Sequence, residues 1–182
     1  CFDLDGNKLW ERSLGKIKMG ASLGEGCSPV IHEGKLVIVR DHSRQSSIEV
    51  LNAKNGKSIW KVDRHEGNTW ATPAIVAHSG KTQVITTASG KVRSYELNTG
   101  KVIWKCAGLT GNAIPCPVVE GDTVYCMTGY KGYSLMAIPL NAKGDITGSD
   151  KILWTKRRGT PYVPSPILYD GLLYFTPSNQ AL

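Results

Sequence analysis

The 182-residue sequence predicts an all-β fold, a β-propeller of four-stranded antiparallel blades. Three observations carry this. A phrase of the form Leu–polar turn–Gly–Lys–apolar–Trp ends at Trp10, Trp60, Trp104 and Trp154, spaced 50, 44 and 50 residues apart. A Pro following a small residue recurs at Pro29, Pro73, Pro117 and Pro166, spaced 44, 44 and 49. Between these landmarks run short stretches rich in Val, Ile, Thr and Tyr, bounded by Gly, Asn and Asp, with no amphipathic helical period. Tandem four-strand units of about this length are propeller blades, because one such sheet has two apolar faces and buries them only against its neighbours.

Taken in chain order, residues 1–14 supply the last two strands of a blade, 28–62, 72–106 and 116–156 supply three whole blades, and 165–182 supply the first two strands of another. The second whole blade shows the pattern best. "TPAIVAH" reads as strand A, "TQVITTA" as B, "VRSYELN" as C and "VIWKC" as D, with "SGK", "SGK" and "TGK" between them. Val92, Ser94 and Glu96 alternate with Arg93, Tyr95 and Leu97, the period of a strand. Pro139 falls in the third strand C and removes a ladder donor, so a strand end or bulge is expected there. Two loop insertions, in 11–28 and 140–152, account for most departures from a 44-residue period. Trp10, Trp60, Trp104 and Trp154 are expected to dock blades, each indole covering backbone that a glycine exposes; burying a Trp contributes roughly 3–5 kcal/mol.

Bulk composition excludes some classes. Hydrophobic residues are 41% and charged residues 20%, with no apolar run long enough for a membrane-spanning helix. The formal charge of +7 is spread along the chain; the tight cluster Lys156, Arg157 and Arg158 comes without any nucleic-acid-binding motif, so no nucleic-acid partner is expected. The chain opens at "CFDLDG" inside one repeat and stops inside another, so it reads as a fragment, without initiator Met or signal peptide, and any membrane association would come through segments outside it. Five cysteines include no CxxC pair, and no metal site is expected. Cys116 and Cys126 flank a tight turn and fall nearly opposite each other; they read as a cross-strand disulfide or, preferably, as two small buried hydrophobes.

The Leu–x–Asn/Asp–Gly–Lys–x–x–Trp signature resembles the pyrroloquinoline-quinone-like (PQQ-like) repeat, found in quinoprotein dehydrogenases and in the propeller lipoprotein of the outer-membrane assembly machinery. The resemblance runs from "LDGNKLW" to "PSPILYDGLLYF". It implies a ring of seven or eight blades, of which this chain carries about half; a four-bladed ring closed by pairing the two half blades is the alternative. It also implies a periplasmic or otherwise extracytoplasmic protein.

In such blades the D–A and B–C connections emerge on one face. Here the D–A loops are long and varied ("DRHEGNTWA", "AGLTGNAIPC", "KRRGTPYVPS"), and the B–C loops include "RDHSRQSS" and "TGYKGY". Loops on a rigid scaffold carry function, so the candidate ligand-binding residues are Asp41, His42, Arg44, Arg64, His65, Asn68, Trp70, Asn112, Tyr130, Lys131, Arg157, Arg158 and Tyr162. Each has a plainer reading. His42 and His65 are expected to be solvated loop histidines rather than ligands or bases, Trp70 a packing residue, and Arg157–Arg158 a solvated pair. Quinone-dependent dehydrogenases use adjacent cysteines, a Trp under the quinone and Glu, Asn and Asp ligands for calcium. No Cys–Cys pair is present, and no carboxylate partners Asn68 or Asn112 in sequence. The expectation is a non-catalytic scaffold binding a protein or small ligand on the loop face, with no cofactor; part of a PQQ- and calcium-dependent oxidoreductase is the alternative.

Overall fold

A computed structural model describes residues 1–17, 23–43 and 45–177. The described residues form strands and turns with no helix. The first sheet is a meander of β1 (Val30–His32), β2 (Lys35–Arg40), β3 (Ser46–Asn52) and β4 (Ser58–Arg64). The second repeats it with β5 (Ala74–His78), β6 (Lys81–Ala88), β7 (Lys91–Glu96) and β8 (Val102–Ala107). A third begins with β9 (Val118–Glu120), β10 (Thr123–Thr128) and β11 (Ser134–Pro139). The chain then leaves it: β12 (Gly144–Asp145) joins the second sheet, and β13 (Trp154–Lys156) returns to complete the third. β14 (Ile167–Tyr169) and β15 (Leu172–Tyr174) form a separate hairpin.

Local chemistry sets these elements. The β1–β2, β5–β6 and β14–β15 turns place Glu33–Gly34, Ser79–Gly80 and Asp170–Gly171 at positive φ, the pair of left-handed residues that matches the twist of a two-residue hairpin. β11 ends at Pro139, which pairs with Thr123 at the last rung. The N-terminal segment closes on itself through a Phe2–Lys8 bridge, and among the described residues no ladder joins it to β14–β15. That leaves the two half blades unpaired with each other, in contrast to a closed four-bladed ring.

Cores lie between sheets, not within them. Val37, Val39, Ile48 and Val50 of the first sheet meet Val84, Tyr95 and Leu97 of the second. Ile85, Val92, Trp104 and Cys106 of the second meet Val124, Cys126, Met136 and Ile138 of the third. Neighbours Val84 and Ile85 therefore face opposite cores, as strand alternation requires. All five cysteines are free thiols. Cys126 is buried in the second core, and the β9–β10 ladder ends at Val118–Tyr125, so it does not reach Cys116 and the disulfide reading falls.

Three of the repeated tryptophans, Trp10, Trp60 and Trp104, sit at junctions, whereas Trp154, expected to dock blades, contacts its own sheet. Trp10 lies on Gly56, where a Cβ would come within 2.5 Å of its ring, and its indole N–H donates to the Ala53 carbonyl at 3.0 Å. Trp60 lies on Gly100 in the same way, at 2.7 Å, and donates to the Leu97 carbonyl at 2.8 Å. Trp104 differs. It is fully buried and donates to Gln83 Oε1 in its own sheet at 3.1 Å. Leu140, Ala142 and Ile146 join Trp104 in one core cluster, and β12 pairs parallel with β8 opposite it. Trp154 is 41% exposed, its ring 5.8 Å from Tyr125.

Candidate functional site

The loop face is built on two ion pairs at the first junction, one within the first sheet and one bridging it to the second. Asp41 directly follows β2 and Arg64 ends β4. Both side chains are essentially inaccessible, and the Arg64 guanidinium donates to Asp41 Oδ2 and to Thr86 Oγ1, each at 3.0 Å. Arg64 also lies 5.6 Å from the Tyr95 ring centre. Beside them Glu66 pairs with Arg93 of β7. Among the described residues Asp41 Oδ1 and Arg64 Nε have no hydrogen-bond partner. Burial pushes the Asp41 carboxyl up to about 6, against the pull of Arg64. A buried pair of this kind gives orientation more than stability, since desolvation offsets the attraction.

Hydroxyls then tie the loops together. Ser46 Oγ donates to the Glu66 carbonyl at 2.8 Å and accepts from the backbone N–H of His42 and of Glu66. His42 is buried in this knot, contrary to the solvated-loop expectation: the chain turns inward after Asp41 to reach Ser46. Ser43 donates to Asn68 Oδ1, Ser89 Oγ donates to the Asn68 carbonyl, and the Asn112 N–H donates to Ser89 Oγ. Asn68 and Asn112, one repeat apart, thus both serve the stitching between successive sheets. Trp70 packs on Gly26 and donates to the Gly24 carbonyl at 2.8 Å, holding the 11–28 insertion. Arg40 holds the same insertion through Glu25 and the Leu14 and Gly15 carbonyls.

At the third sheet the chemistry is aromatic. Tyr130 and Tyr162 stack with centres 4.9 Å apart, and Lys131 Nζ lies 5.4 Å from the Tyr130 ring. Arg157 is exposed and also clamps the loops: it donates to the Gly108 carbonyl and to Ser134 Oγ, bridging the second and third sheets. Arg158 and His65 are exposed. His65 and Arg64 line a groove of about 340 Å³ together with Arg93, Tyr95 and Lys105. Arg44 lies outside the described residues.

The structure therefore divides the candidates. Asp41, His42, Arg64, Asn68, Trp70, Asn112 and Arg157 hold the face together. His65, Tyr130, Lys131, Arg158 and Tyr162 form what it presents. Sequence reading missed Glu66, Arg93, Ser46, Ser89 and Ser134; the hydroxyls just before or after B and C strands were the available signal. Among the described residues no three His, Cys, Asp or Glu side chains come together as a metal site. The Asn68 oxygen already accepts from Ser43, and Asp41 is locked to Arg64. These residues do not fit a calcium-bound quinone, and no chemistry is derived through one.

A family profile described as outer membrane protein assembly factor BamB matches residues 1–182. Among solved structures, BamB from Moraxella catarrhalis superposes with a TM-score of 0.57 at 18% identity, over 91% of this chain and 45% of that one. A quinohemoprotein alcohol dehydrogenase from Comamonas testosteroni gives 0.55 at 18%, over 76% and 21%. A europium-containing methanol dehydrogenase gives 0.53 at 16%, over 82% and 27%. At such identities the likeness shows the propeller fold, and the chain spans less than half the length of each of these proteins. No curated protein matches the chain.

Proposed function

The chain belongs to the family described as outer membrane protein assembly factor BamB, and on that premise we propose that it is a non-catalytic binding scaffold that takes a protein partner on its loop face, outside the cytoplasm. The observation that carries this reading is the Tyr130–Tyr162 stack with Lys131 against it, held on a face where Asp41, Arg64, Asn68 and Arg157 are engaged in internal bonds. Rigid aromatics beside a cation are the usual anchors of protein interfaces, because they bury large area at little entropic cost. The family description, which names an assembly factor of the outer membrane, supports both the partner class and the extracytoplasmic placement.

The test is site-specific photocrosslinking from position 162 in cells. The reading expects a discrete protein adduct that is lost in the Tyr130→Ala variant, with the melting temperature retained. Absence of any adduct, together with saturable binding of PQQ and calcium by calorimetry, would overturn it in favour of an oxidoreductase fragment.

A further inference from the structure

At the end of the molecule opposite the loop face, a cleft of about 630 Å³ opens between the second sheet and the start of the 140–152 insertion. Its rim carries Lys81, Lys101 and Lys143, from the start of β6, the β7–β8 turn and the insertion. One carboxylate, Glu96, faces these three ammonium groups, and it is already engaged by Thr99 at 2.6 Å and by Lys81 at 3.7 Å. His78 on the same rim pairs with Asp122. The walls between the charges are apolar, chiefly Ile103 and Leu140. Gln83 also lines the cleft and is 97% buried, with 3% exposed. Its oxygen accepts from Ser94 and Trp104, and one of its amide hydrogens goes to the Leu140 carbonyl. The second amide hydrogen has no partner among the described residues, since such an amide carries two donors.

We propose that this cleft docks an acidic peptide segment of a partner protein, a short stretch with carboxylates flanking an apolar side chain. Three features select that occupant. The rim charge is supplied by lysines, compact cations on flexible stems that accept carboxylates in varied positions; the residues lining the cleft include no arginine fork of the kind that fits a phosphate. The volume suits several atoms of side chain and backbone rather than a small inorganic anion. The apolar wall matches a hydrophobic residue between the charges. The first sheet supplies a comparison: Lys35 and Lys57 lie at the corresponding turns, but the rung of Gln83 and Glu96 is matched there by Lys35 and Asn52, with no buried glutamine, and the 140–152 insertion has no counterpart.

The experiment is fluorescence anisotropy of the purified protein with a labelled nonapeptide alternating Glu and Leu, at about 20 mM and about 300 mM salt, concentrations that bracket screening lengths from long to short. Saturable binding is expected, weakened by salt, and weakened at least tenfold in the Lys101→Glu/Lys143→Glu variant. The Lys35→Glu/Lys57→Glu variant changes net charge equally and is expected to lose less than about twofold, because its charges lie away from the cleft. Equal losses in the two variants would reduce the effect to overall charge and overturn the site. Stoichiometric competition by pyrophosphate or citrate would overturn the peptide assignment. No loop-face partner takes part in the titration, so its failure would leave the scaffold reading standing.

Discussion

The junction between the first and second sheets and the junction between the second and third meet the same packing problem with the same residue turned in opposite directions. Trp60 reaches forward, lies on Gly100 of the next sheet and donates to its Leu97 carbonyl. Trp104 turns back, donates to Gln83 of its own sheet and is sealed by Leu140, Ala142 and Ile146. Two changes account for this. One rung from the indole a buried Gln83 stands where the first sheet has Lys35, giving the indole an acceptor in its own sheet. The insertion brings its own apolar residues and the short strand β12, so the indole no longer has to cover the neighbouring turn. The repeat specifies a large flat plug at each junction; the surroundings decide where it seats.

The opposite ends of the two junctions differ as well. The first is ionic, with Asp41–Arg64 and Glu66–Arg93, while the second relies on hydroxyls and the Arg157 clamp.

The largest expected effect tests the burial difference. Trp104→Ala should lose about 4 kcal/mol in urea unfolding, and Trp60→Ala, half-buried on Gly100, about 2 kcal/mol. Equal losses would break the comparison. Next comes pH. The Asp41 carboxyl is pushed up to about 6, whereas the unfolded chain releases that proton near 3.9, an ordinary aspartate value. Between these values the folded protein holds a proton that the unfolded chain has lost. This group's contribution to stability therefore falls as pH rises from about 4 to about 6, by up to about 3 kcal/mol. Stability measured across that window should show the fall in wild type and lack it in Asp41→Asn; an unchanged slope in the variant would remove the ionic junction from the account.

Gln83→Val, which replaces the indole's acceptor with an apolar side chain, should cost about 2 kcal/mol, because Trp104 Nε1, Ser94 Oγ and the Leu140 carbonyl each lose their partner. A neutral result would mean that Trp104 had swung forward as Trp60 does, which its near-ultraviolet dichroism would report. The smallest effect compares two glycines of nearly equal φ, +73° at Gly100 and +72° at Gly144. Gly144→Ala meets open space and should cost about 1 kcal/mol, the left-handed strain alone. Gly100→Ala drives a methyl into the Trp60 ring and should cost about twice as much by the same unfolding measurement.

The propeller was readable because its signals are local and repeated: a turn glycine, a Trp four residues on, a Pro before each first strand. The Trp–Gly contacts followed from the same spacing. What stayed hidden depends on partners far apart in sequence. Arg64 finds Asp41 across 23 residues and Thr86 across 22, and neither pairing leaves a periodic trace. His42 looked exposed because it sits in a polar loop; the Ser46 hydroxyl that draws the loop inward reads as an ordinary strand serine. The insertion read as a loop because β12 is two residues, Gly144 and Asp145, with no β-forming side chain; it is a strand only because β8 offers an open edge.

That short strand also bears on how the chain folds correctly. Tandem units of similar sequence risk docking one period out of place, since each offers its neighbours nearly the same apolar face. Here one unit carries an extension that needs Gln83 and the β8 edge, and among the described sheets only the second provides both. The insertion acts as an address label, matching the third unit to the second and to no other described sheet.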